Sequence, residues 1–381
     1  MSDAQIQPFQ IRVSDEALED LRRRLRATRW PDRETVEDWS QGIPLAYVQE
    51  VCAYWSEKYD WRKREARLNA FPQFRTTVDG VGIHFLHVRS RHEAALPLVM
   101  THGWPGSIVE FLKVIAPLTD PTAHGGEARD AFHVVCPAMP GYGFSDKPAS
   151  KGWDVRRIAA AWSTLMLRLG YPRYVAQGGD WGALVTTCIG IQDPAHCAGI
   201  HLNMPIVPPD PATLGSLTPE EQSALAGLKH YQDWDSGYSK QQSTRPQTLG
   251  YGLVDSPAGQ AAWILEKFWS WMDCDGHPEN VLTRDELLDN VMLYWAPGAG
   301  ASSARLYWES FNQPPMDPVS VPVGCSIFPK EIFRSSKRWA EKRFEKLVYW
   351  NALEKGGHFA AFEQPETFVA EVRACFRHVR G

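Results

Sequence analysis

Short apolar runs that alternate with helix-like segments set tight limits on how this chain can fold. The runs cover residues 96–101, 132–136, 174–176, 199–202, 321–328 and 347–352. They are nearly continuous and rich in β-branched residues, as strands covered on both faces are. Helix-like segments lie between several of them, such as residues 155–169 and 181–191. This alternation predicts a mostly parallel sheet with helices on both sides.

The alternation stops between residues 204 and 320. This stretch has no clear buried strand, and it contains proline-rich loops and helical runs such as residues 219–228 and 259–271. The strand pattern then resumes at residue 321. A helical insertion inside an α/β sheet predicts a lid.

The N-terminal segment has a helical pattern of its own. Ser14 is a candidate helix N-cap, and leucines at helical spacing follow an acidic first turn. A second helix is expected from Pro44 to about residue 59, and residues 60–74 are expected to form a charged connection. The pair Asp79-Gly80 then predicts a hairpin between two strands.

Composition excludes several classes of protein. The 40 basic and 45 acidic residues give a formal net charge of −5, which offers no electrostatic footprint for nucleic acid and no polybasic patch for a membrane. The seven scattered cysteines match neither a disulfide framework nor a zinc site, so a reducing cytoplasm is expected. The start of the chain lacks a signal-peptide pattern, and no run reaches the ~18 apolar residues of a membrane span. The 16 tryptophans indicate a bulky core or, less strongly, a site lined with rings.

The most informative motif is Gly178-Gly179-Asp180-Trp181-Gly182, which follows a predicted strand and opens a predicted helix. It matches the sharp G-x-S-x-G turn that exposes a nucleophile, with Asp in place of Ser. Bulky residues two positions from Asp180 would clash with the crossing strand and helix. The alternative is an ordinary Asp N-cap, and from this motif alone the two interpretations are about equal.

A second motif, His102-Gly-Trp-Pro-Gly-Ser, follows another predicted buried strand. In folds with such a turn, this loop supplies an N–H group of the oxyanion hole. The backbone amides of Trp104 and Trp181 could then converge on one oxyanion. The alternative is a surface loop punctuated by glycine and proline. His102 is expected to brace the loop, because the base comes last in the chain order of this fold.

That last position holds His358, which two glycines precede near the C-terminus. The acid partner is expected after a strand, between the nucleophile and the histidine. Glu331 follows the run 321–328 and is the first choice, with Asp317 as the fallback. The alternative for Glu331 is a surface carboxylate near Arg334 and Lys337.

A carboxylate nucleophile suits displacement at saturated carbon, which leaves an alkyl ester that a His-activated water can hydrolyse. The candidate substrates are therefore epoxides and haloalkanes. An epoxide oxygen leaves as an alkoxide and needs a proton, which tyrosine can donate at neutral pH. The lid contains five tyrosines, so their supply alone proves nothing: Tyr231, Tyr238, Tyr251, Tyr294 and Tyr307.

Five segments together resemble the epoxide hydrolases of the α/β-hydrolase fold, specifically the microsomal and juvenile-hormone-type branch with its bacterial relatives. They are residues 8–31, 102–107, 141–145, 178–182 and 356–363. The resemblance covers nearly the whole chain, and the motifs together are highly specific. It implies Asp180 as nucleophile, His358 as base and Glu331 as the orienting acid, because residues 328–331 match the acid loop of the family.

The resemblance also selects among the tyrosines. Residues 235–238 and 304–307 match the segments that hold the two proton-donating tyrosines, which implies this role for Tyr238 and Tyr307. Trp104 and Trp181 match the oxyanion-hole positions through their backbone amides.

The implied architecture is an α/β-hydrolase fold with a mostly parallel sheet, a helical lid insertion and an N-terminal helical meander. The expected domains are a meander over residues 1–73, a core in two parts over residues 74–204 and 321–381, and a lid over residues 205–320. Microsomal members carry a hydrophobic N-terminal anchor, whereas this chain begins with about ten polar residues before the meander, so no membrane anchor is expected.

The predicted function is therefore hydrolysis of an epoxide to a vicinal diol through an ester on Asp180. A bulky aromatic or secondary-metabolite epoxide would suit a tryptophan-rich pocket. A haloalkane dehalogenase and a catalytically inactive binding protein remain the alternatives. The expected partners are the epoxide and water, without nucleic acid, metal or organic cofactor, in the cytoplasm; a homodimer stays open.

Overall fold

The structure, a computed structural model, describes residues 5–380. The strands it contains are β1 Gln7–Pro8, β2 Gln73–Val78, β3 Val81–Val88, β4 Leu96–Thr101, β5 Phe132–Pro137, β6 Tyr174–Gly178, β7 Cys197–Leu202, β8 Val323–Ile327 and β9 Leu347–Ala352. Within residues 5–380, these nine strands form one sheet in the order β1-β2-β3-β5-β4-β6-β7-β8-β9. The pairs from β1 to β5 along this order are antiparallel, and all later pairs are parallel. The predicted mostly parallel α/β sheet is thus confirmed.

The register of the central strands brings the predicted motifs together. Thr101 at the end of β4 pairs with Gly178 at the end of β6, which in turn pairs with Leu202 at the end of β7. Because the carboxyl ends of parallel strands meet at one edge of a sheet, the loops that follow these residues lie side by side. The oxyanion motif after β4 and the Asp180 turn after β6 therefore share one edge.

Helices cover both the sheet and its edge. Their bounds are α1 Asp15–Arg26, α2 Leu45–Glu57, α3 Trp61–Asn69, α4 Leu112–Thr119, α5 Val155–Arg168, α6 Trp181–Gln192, α7 Pro219–His230, α8 Gly237–Thr244, α9 Pro246–Asp255, α10 Pro257–Trp271, α11 Arg284–Trp295, α12 Gly300–Ser310, α13 Lys337–Arg343, α14 Ala360–Glu363 and α15 Pro365–Arg377. One π-helical turn spans Tyr231–Asp235, and single 3₁₀ turns span Ile108–Phe111, Pro121–His124, Ala128–Asp130, Pro211–Thr213 and Pro278–Asn280. Helices α7 to α12 fall between β7 and β8, where the lid was predicted. The predicted domain boundaries stay predictions.

Two details of the sequence prediction were wrong. Residues 60–74 were expected to be a charged connection, but they contain helix α3, which the side chain of Asp60 caps by accepting from the Lys63 N–H. Its charges misled the prediction because Arg64 and Glu65 are buried in ion pairs instead of facing solvent. The run 347–352 was expected to be covered on both faces, but β9 is an edge strand with partly exposed side chains.

The hairpin at Asp79-Gly80 and the helix capped by Ser14 form as predicted, with Ser14 accepting from the Ala17 N–H. Pro44 caps the second helix and precedes its first residue. None of the helices described over residues 5–380 is both long and apolar enough to cross a membrane.

Candidate active site

Asp180 stands on the sharp turn between β6 and α6. Its φ of 51° lies in the left-handed region that non-glycine residues rarely adopt, so the turn is strained, as turns at functional sites often are. The turn requires its flanking glycines. A Cβ on Gly178 would lie 2.1 Å from the carbonyl oxygen of Gly182, and a Cβ on Gly182 would lie 1.9 Å from that of Thr101. The small residues predicted around Asp180 are therefore sterically necessary.

The two carboxylate oxygens of Asp180 have different neighbours. The backbone N–H of Trp104 donates to Oδ1 over 2.8 Å, and Nε2 of His358 lies 3.2 Å from Oδ2. Gly103 allows this approach, because a Cβ there would lie 2.1 Å from Oδ1. Trp181, whose amide was predicted to complete the oxyanion hole, is the first residue of α6. Asp180 thus lies between a backbone donor and an imidazole.

His358 is held by the acid that the sequence favoured. Its Nδ1 lies 2.6 Å from Oε1 of Glu331, which is 4% exposed and not the surface carboxylate of the alternative interpretation. Burial disfavours the imidazolium, but the charges and hydrogen bonds of Glu331 and Asp180 outweigh it and hold the pKa of His358 well above its ordinary value. The fallback acid Asp317 lies elsewhere, with its side chain largely exposed and 4.0 Å from Arg156.

The rings of Tyr238 and Tyr307 contact each other at the cavity that Asp180 lines. Their ring centroids are 5.7 Å apart, and both line a cavity of about 410 Å³ together with Asp180. Tyr238 stacks on the indole of Trp104, and Tyr307 packs edge-on against that of Trp181. Burial, with smaller contributions from neighbours that include Asp180, raises the pKa of both phenols well above 10, so both keep their protons at neutral pH.

The other lid tyrosines have different surroundings. The hydroxyl of Tyr294 donates to the carbonyl oxygen of Gly106, and Tyr251 is 69% exposed. Tyr231 lines the same cavity as the pair, and its hydroxyl lies 3.2 Å from that of Tyr238. Of the five lid tyrosines, the two singled out by the resemblance and Tyr231 are thus the ones at the cavity.

His102 braces the loop that follows β4, as expected. This loop spans residues 102–107 and is called the oxyanion loop below. Nδ1 of His102 lies 2.9 Å from the carbonyl oxygen of Gly103, and its Nε2 accepts from the N–H of Met139. Burial lowers the pKa of His102 to about 4, so the ring is neutral near pH 7. The loop itself is buried, which excludes the surface-loop interpretation.

Sequence reasoning missed Trp271 and Glu110. Trp271 lies at the end of α10 and packs edge-on against His358, with ring centroids 4.9 Å apart. Glu110 is buried beside Asp180 and His358. Trp271 is one of 16 tryptophans, and only the abundance of rings hinted at a ring-lined site. Glu110 lies in an apolar run whose sequence indicates only a segment of the hydrophobic core.

The cavity is apolar apart from a few groups. Its walls come from the loop after β7, from α7 and from the loops after α12 and β8, and they include Ile206, Val207, Leu228, Phe311 and Phe333. Within residues 5–380, no group of three or more His, Cys, Asp or Glu side chains is arranged to hold a metal ion.

Comparisons with known proteins identify the family of this chain. A family model for the epoxide hydrolase N terminus matches residues 6–111, and one for the alpha/beta hydrolase fold matches residues 97–240. A protein of Stigmatella aurantiaca, provisionally named an epoxide hydrolase, is 59% identical over 99% of this chain and 86% of its own length. Epoxide hydrolase 1 of Sus scrofa is 38% identical over 97% of this chain and 88% of its own.

The solved structures add the fold. The crystal structure of juvenile hormone epoxide hydrolase from the silkworm Bombyx mori matches with a TM-score of 0.91 and 32% identity, over 99% of this chain and 95% of that one. Sequence and structural similarity therefore extend over nearly the whole chain at more than 30% identity. This chain belongs to the epoxide hydrolases of the α/β-hydrolase fold, as its motifs predicted.

Proposed function

We propose that this epoxide hydrolase works through a covalent ester on Asp180. The observation that carries the proposal is the position of the Asp180 carboxylate, 3.2 Å from Nε2 of His358 and at a cavity that Tyr238 and Tyr307 also line. The epoxide binds in the cavity of about 410 Å³ with its oxygen toward Tyr238 and Tyr307. Asp180 attacks a ring carbon from the opposite side, the C–O bond of the ring breaks, and the oxygen takes a proton from a tyrosine.

The second step is ester hydrolysis. His358 removes a proton from water, and the resulting hydroxide attacks the ester carbonyl carbon of Asp180. The backbone amides of Trp104 and Trp181 stabilise the oxyanion, and the alcohol leaves with the proton from His358. Esterification removes the negative charge of Asp180, which is one cause of the raised pKa of His358. The pKa of His358 is therefore lower in the ester than in the free enzyme. Its imidazolium loses the proton at a lower pH, and the neutral ring can then act as a base.

The proposed substrates are bulky, lipophilic epoxides. The walls of the cavity are mostly aliphatic and aromatic, and the ionisable side chains among them are Asp180, Arg334 and the tyrosines. Such a wall stabilises apolar groups attached to the epoxide ring and offers few partners for polar ones.

The intact mass of His358→Gln, after mixing with a panel of epoxides and haloalkanes, tests this proposal. Without its base, the enzyme should stall as the ester. A mass gain equal to the whole substrate is the expected result. A gain equal to the substrate minus hydrogen halide would instead identify a dehalogenase. If wild-type enzyme makes diol from an epoxide and this variant gains no mass with it, the covalent route is wrong.

A further inference from the structure

A second, much smaller cavity lies on the inner side of Asp180. It has a volume of about 20 Å³, and we call it the inner cavity. Asp180 and His358 both line it, together with the polar side chains of Glu110, Gln177 and Asn203. A volume of ~10–15 Å³ on this measure is sufficient for one water molecule, provided that two to four polar partners surround it.

Two of these side chains have a buried polar atom without a hydrogen-bond partner among the described residues. The amide of Gln177 donates to Oδ1 of Asn203 over 2.6 Å, which fixes how the two side chains face each other. Within residues 5–380, Oε1 of Gln177 and Nδ2 of Asn203 have no hydrogen-bond partner, although their residues are only 1% and 3% exposed. Unpaired polar atoms are costly in a buried site, so a buried acceptor and a buried donor at the inner cavity indicate a bound polar molecule of this size.

Glu110 provides a third polar wall. A Cβ on Gly106 would lie 1.6 Å from Oε1 of Glu110, so the carboxyl group packs directly on the backbone of the oxyanion loop. Burial raises the pKa of Glu110 to about 8, and the charges of Asp180 and Glu363 act in the same direction, whereas His358 and the N–H of Ser107 oppose it. Glu110 is therefore sensitive to the charge state of the two groups that react.

We propose that the inner cavity binds the water that hydrolyses the ester, and that Glu110, Gln177 and Asn203 are its positioning residues. The proposal rests on the covalent route through Asp180 described above. The water oxygen bonds to the ester carbonyl carbon, and one water proton moves to Nε2 of His358. The other proton points to the Glu110 carboxyl group as a hydrogen bond and stays with the new acid group of Asp180. The bond between that carbonyl carbon and the alcohol oxygen then breaks, and this oxygen takes the proton from His358.

Glu110 can accept this hydrogen bond in either protonation state. In the free enzyme, the charge of His358 lowers the pKa of Glu110 and the charge of Asp180 raises it. Both charges are absent once the ester has formed and His358 is neutral, so the two effects are lost together. The carbonyl-type oxygen of a protonated Glu110 still accepts a hydrogen bond from the water.

Single-turnover kinetics of Glu110→Leu test the inference, with rapid quenching and intact-mass detection of the ester. Leucine has a similar size but no polar atom that could hold the water. We expect ester formation to keep its wild-type rate, while ester hydrolysis slows by about 10-fold, as for loss of one hydrogen bond in a buried site. The ester should then accumulate. Asn203→Ala is the second variant and should give the same pattern.

Thr186→Val is the matched control. Thr186 is fully buried and also has an unpaired hydroxyl within the described chain, but it does not line the inner cavity. Both half-reactions should keep their rates in this variant. Unchanged hydrolysis in Glu110→Leu and Asn203→Ala would overturn the inference, and so would equal slowing of both half-reactions, which indicates a structural role. Failure of the covalent route itself looks different, because the His358→Gln enzyme would then form no ester from any epoxide that wild-type enzyme hydrolyses.

Discussion

At the residue scale, the site combines side chains whose pKa values are raised for different physical reasons. His358 has a raised pKa because Glu331 and Asp180 favour its cation more than burial disfavours it. Tyr238 and Tyr307 have raised pKa values because burial disfavours the phenolate. The proposed proton donors, Tyr238 and Tyr307, and the proposed nucleophile, Asp180, therefore lie at one cavity with the phenols protonated. Each of these groups can be tested by its protonation or by a single substitution.

The two tyrosines should matter for ring opening and not for binding as such. We expect Tyr238→Phe or Tyr307→Phe to slow ester formation by about 10²-fold, the lower range for a positioned proton donor, and the double variant to abolish it. Stopped-flow tryptophan fluorescence can follow this step, because Trp104 and Trp181 contact the two rings. Tyr251→Phe is the control, since this lid tyrosine is exposed. Equal ester-formation rates in all four variants would rule out the donor role.

The imidazole of His358 should lose its proton at a higher pH than a free imidazole does, because its pKa is raised well above the usual ~6.5. The contribution of the protonated imidazole to the stability of the fold is complete below pH ~6.5. It is lost as the pH rises through the pKa of His358 in the native state. ¹⁵N chemical shifts of the ring nitrogens measure the charge, and His102 is the internal control because burial lowers its pKa to about 4. Glu331→Gln should lower the pKa of His358. A pKa of His358 at or below ~6.5 in the wild-type enzyme would contradict this prediction.

Sequence reasoning could locate residues whose role depends on chain position. Asp180 and His358 occupy a turn and a loop with glycines that mark them, and Glu331 follows a strand in the expected slot. Glu110 and Trp271 are brought to the site by tertiary contacts, and no local sequence pattern marks such contacts. Glu110 lies between apolar neighbours and resembles a core residue in the sequence, although it lines the same small cavity as Asp180 and His358.

At the scale of elements, the site lies at the carboxyl ends of the strands and in the turns that follow them. The strands of the central sheet could be predicted because their apolar runs are uninterrupted, and the turn after β6 could be predicted from its glycines. Helix α3 could not, because its charges look solvent-exposed until their buried partners are known. The exposure of β9 also needs the strand order, since an apolar run does not reveal whether it lies at an edge.

The turn after β6 should tolerate no added methyl group. We expect Gly182→Ala to destabilise the protein by about 3 kcal/mol or more, because its Cβ would overlap the backbone of Thr101 and neither element can move freely. Gly252→Ala in α9 is the control: its Cβ meets nothing within 4 Å, and alanine should stabilise the helix by about 0.5–1 kcal/mol. Urea unfolding measures both. The steric explanation is wrong if the two substitutions have the same effect.

At the scale of the whole molecule, the N-terminal meander connects to the site through lid helix α11. Arg64 on α3 forms a buried ion pair with Asp289 on α11, and Tyr59 donates to the same carboxylate over 2.8 Å. The next residue, Asn290, donates to the carbonyl oxygen of Pro105 and accepts from Ser107. A continuous chain of contacts therefore runs from the meander through α11 to the oxyanion loop that holds Asp180.

Breaking this ion pair should affect both stability and the hydrolytic step. We expect Arg64→Met to lower the free energy of unfolding by about 3–5 kcal/mol, because Asp289 is left buried with its charge unpaired. Adding Asp289→Leu should recover much of that loss, since an apolar pair has no charge to desolvate. In the single variant, ester hydrolysis should slow more than ester formation, because the proposed mechanism uses the backbone amide of Trp104 in this loop to stabilise the hydrolytic transition state. Urea unfolding and single-turnover kinetics measure the two effects.

Lys229→Met in an exposed lid ion pair is the control and should change stability by less than about 1 kcal/mol. If the losses of Arg64→Met and Asp289→Leu simply add in the double variant, the pair does not hold the meander to the lid.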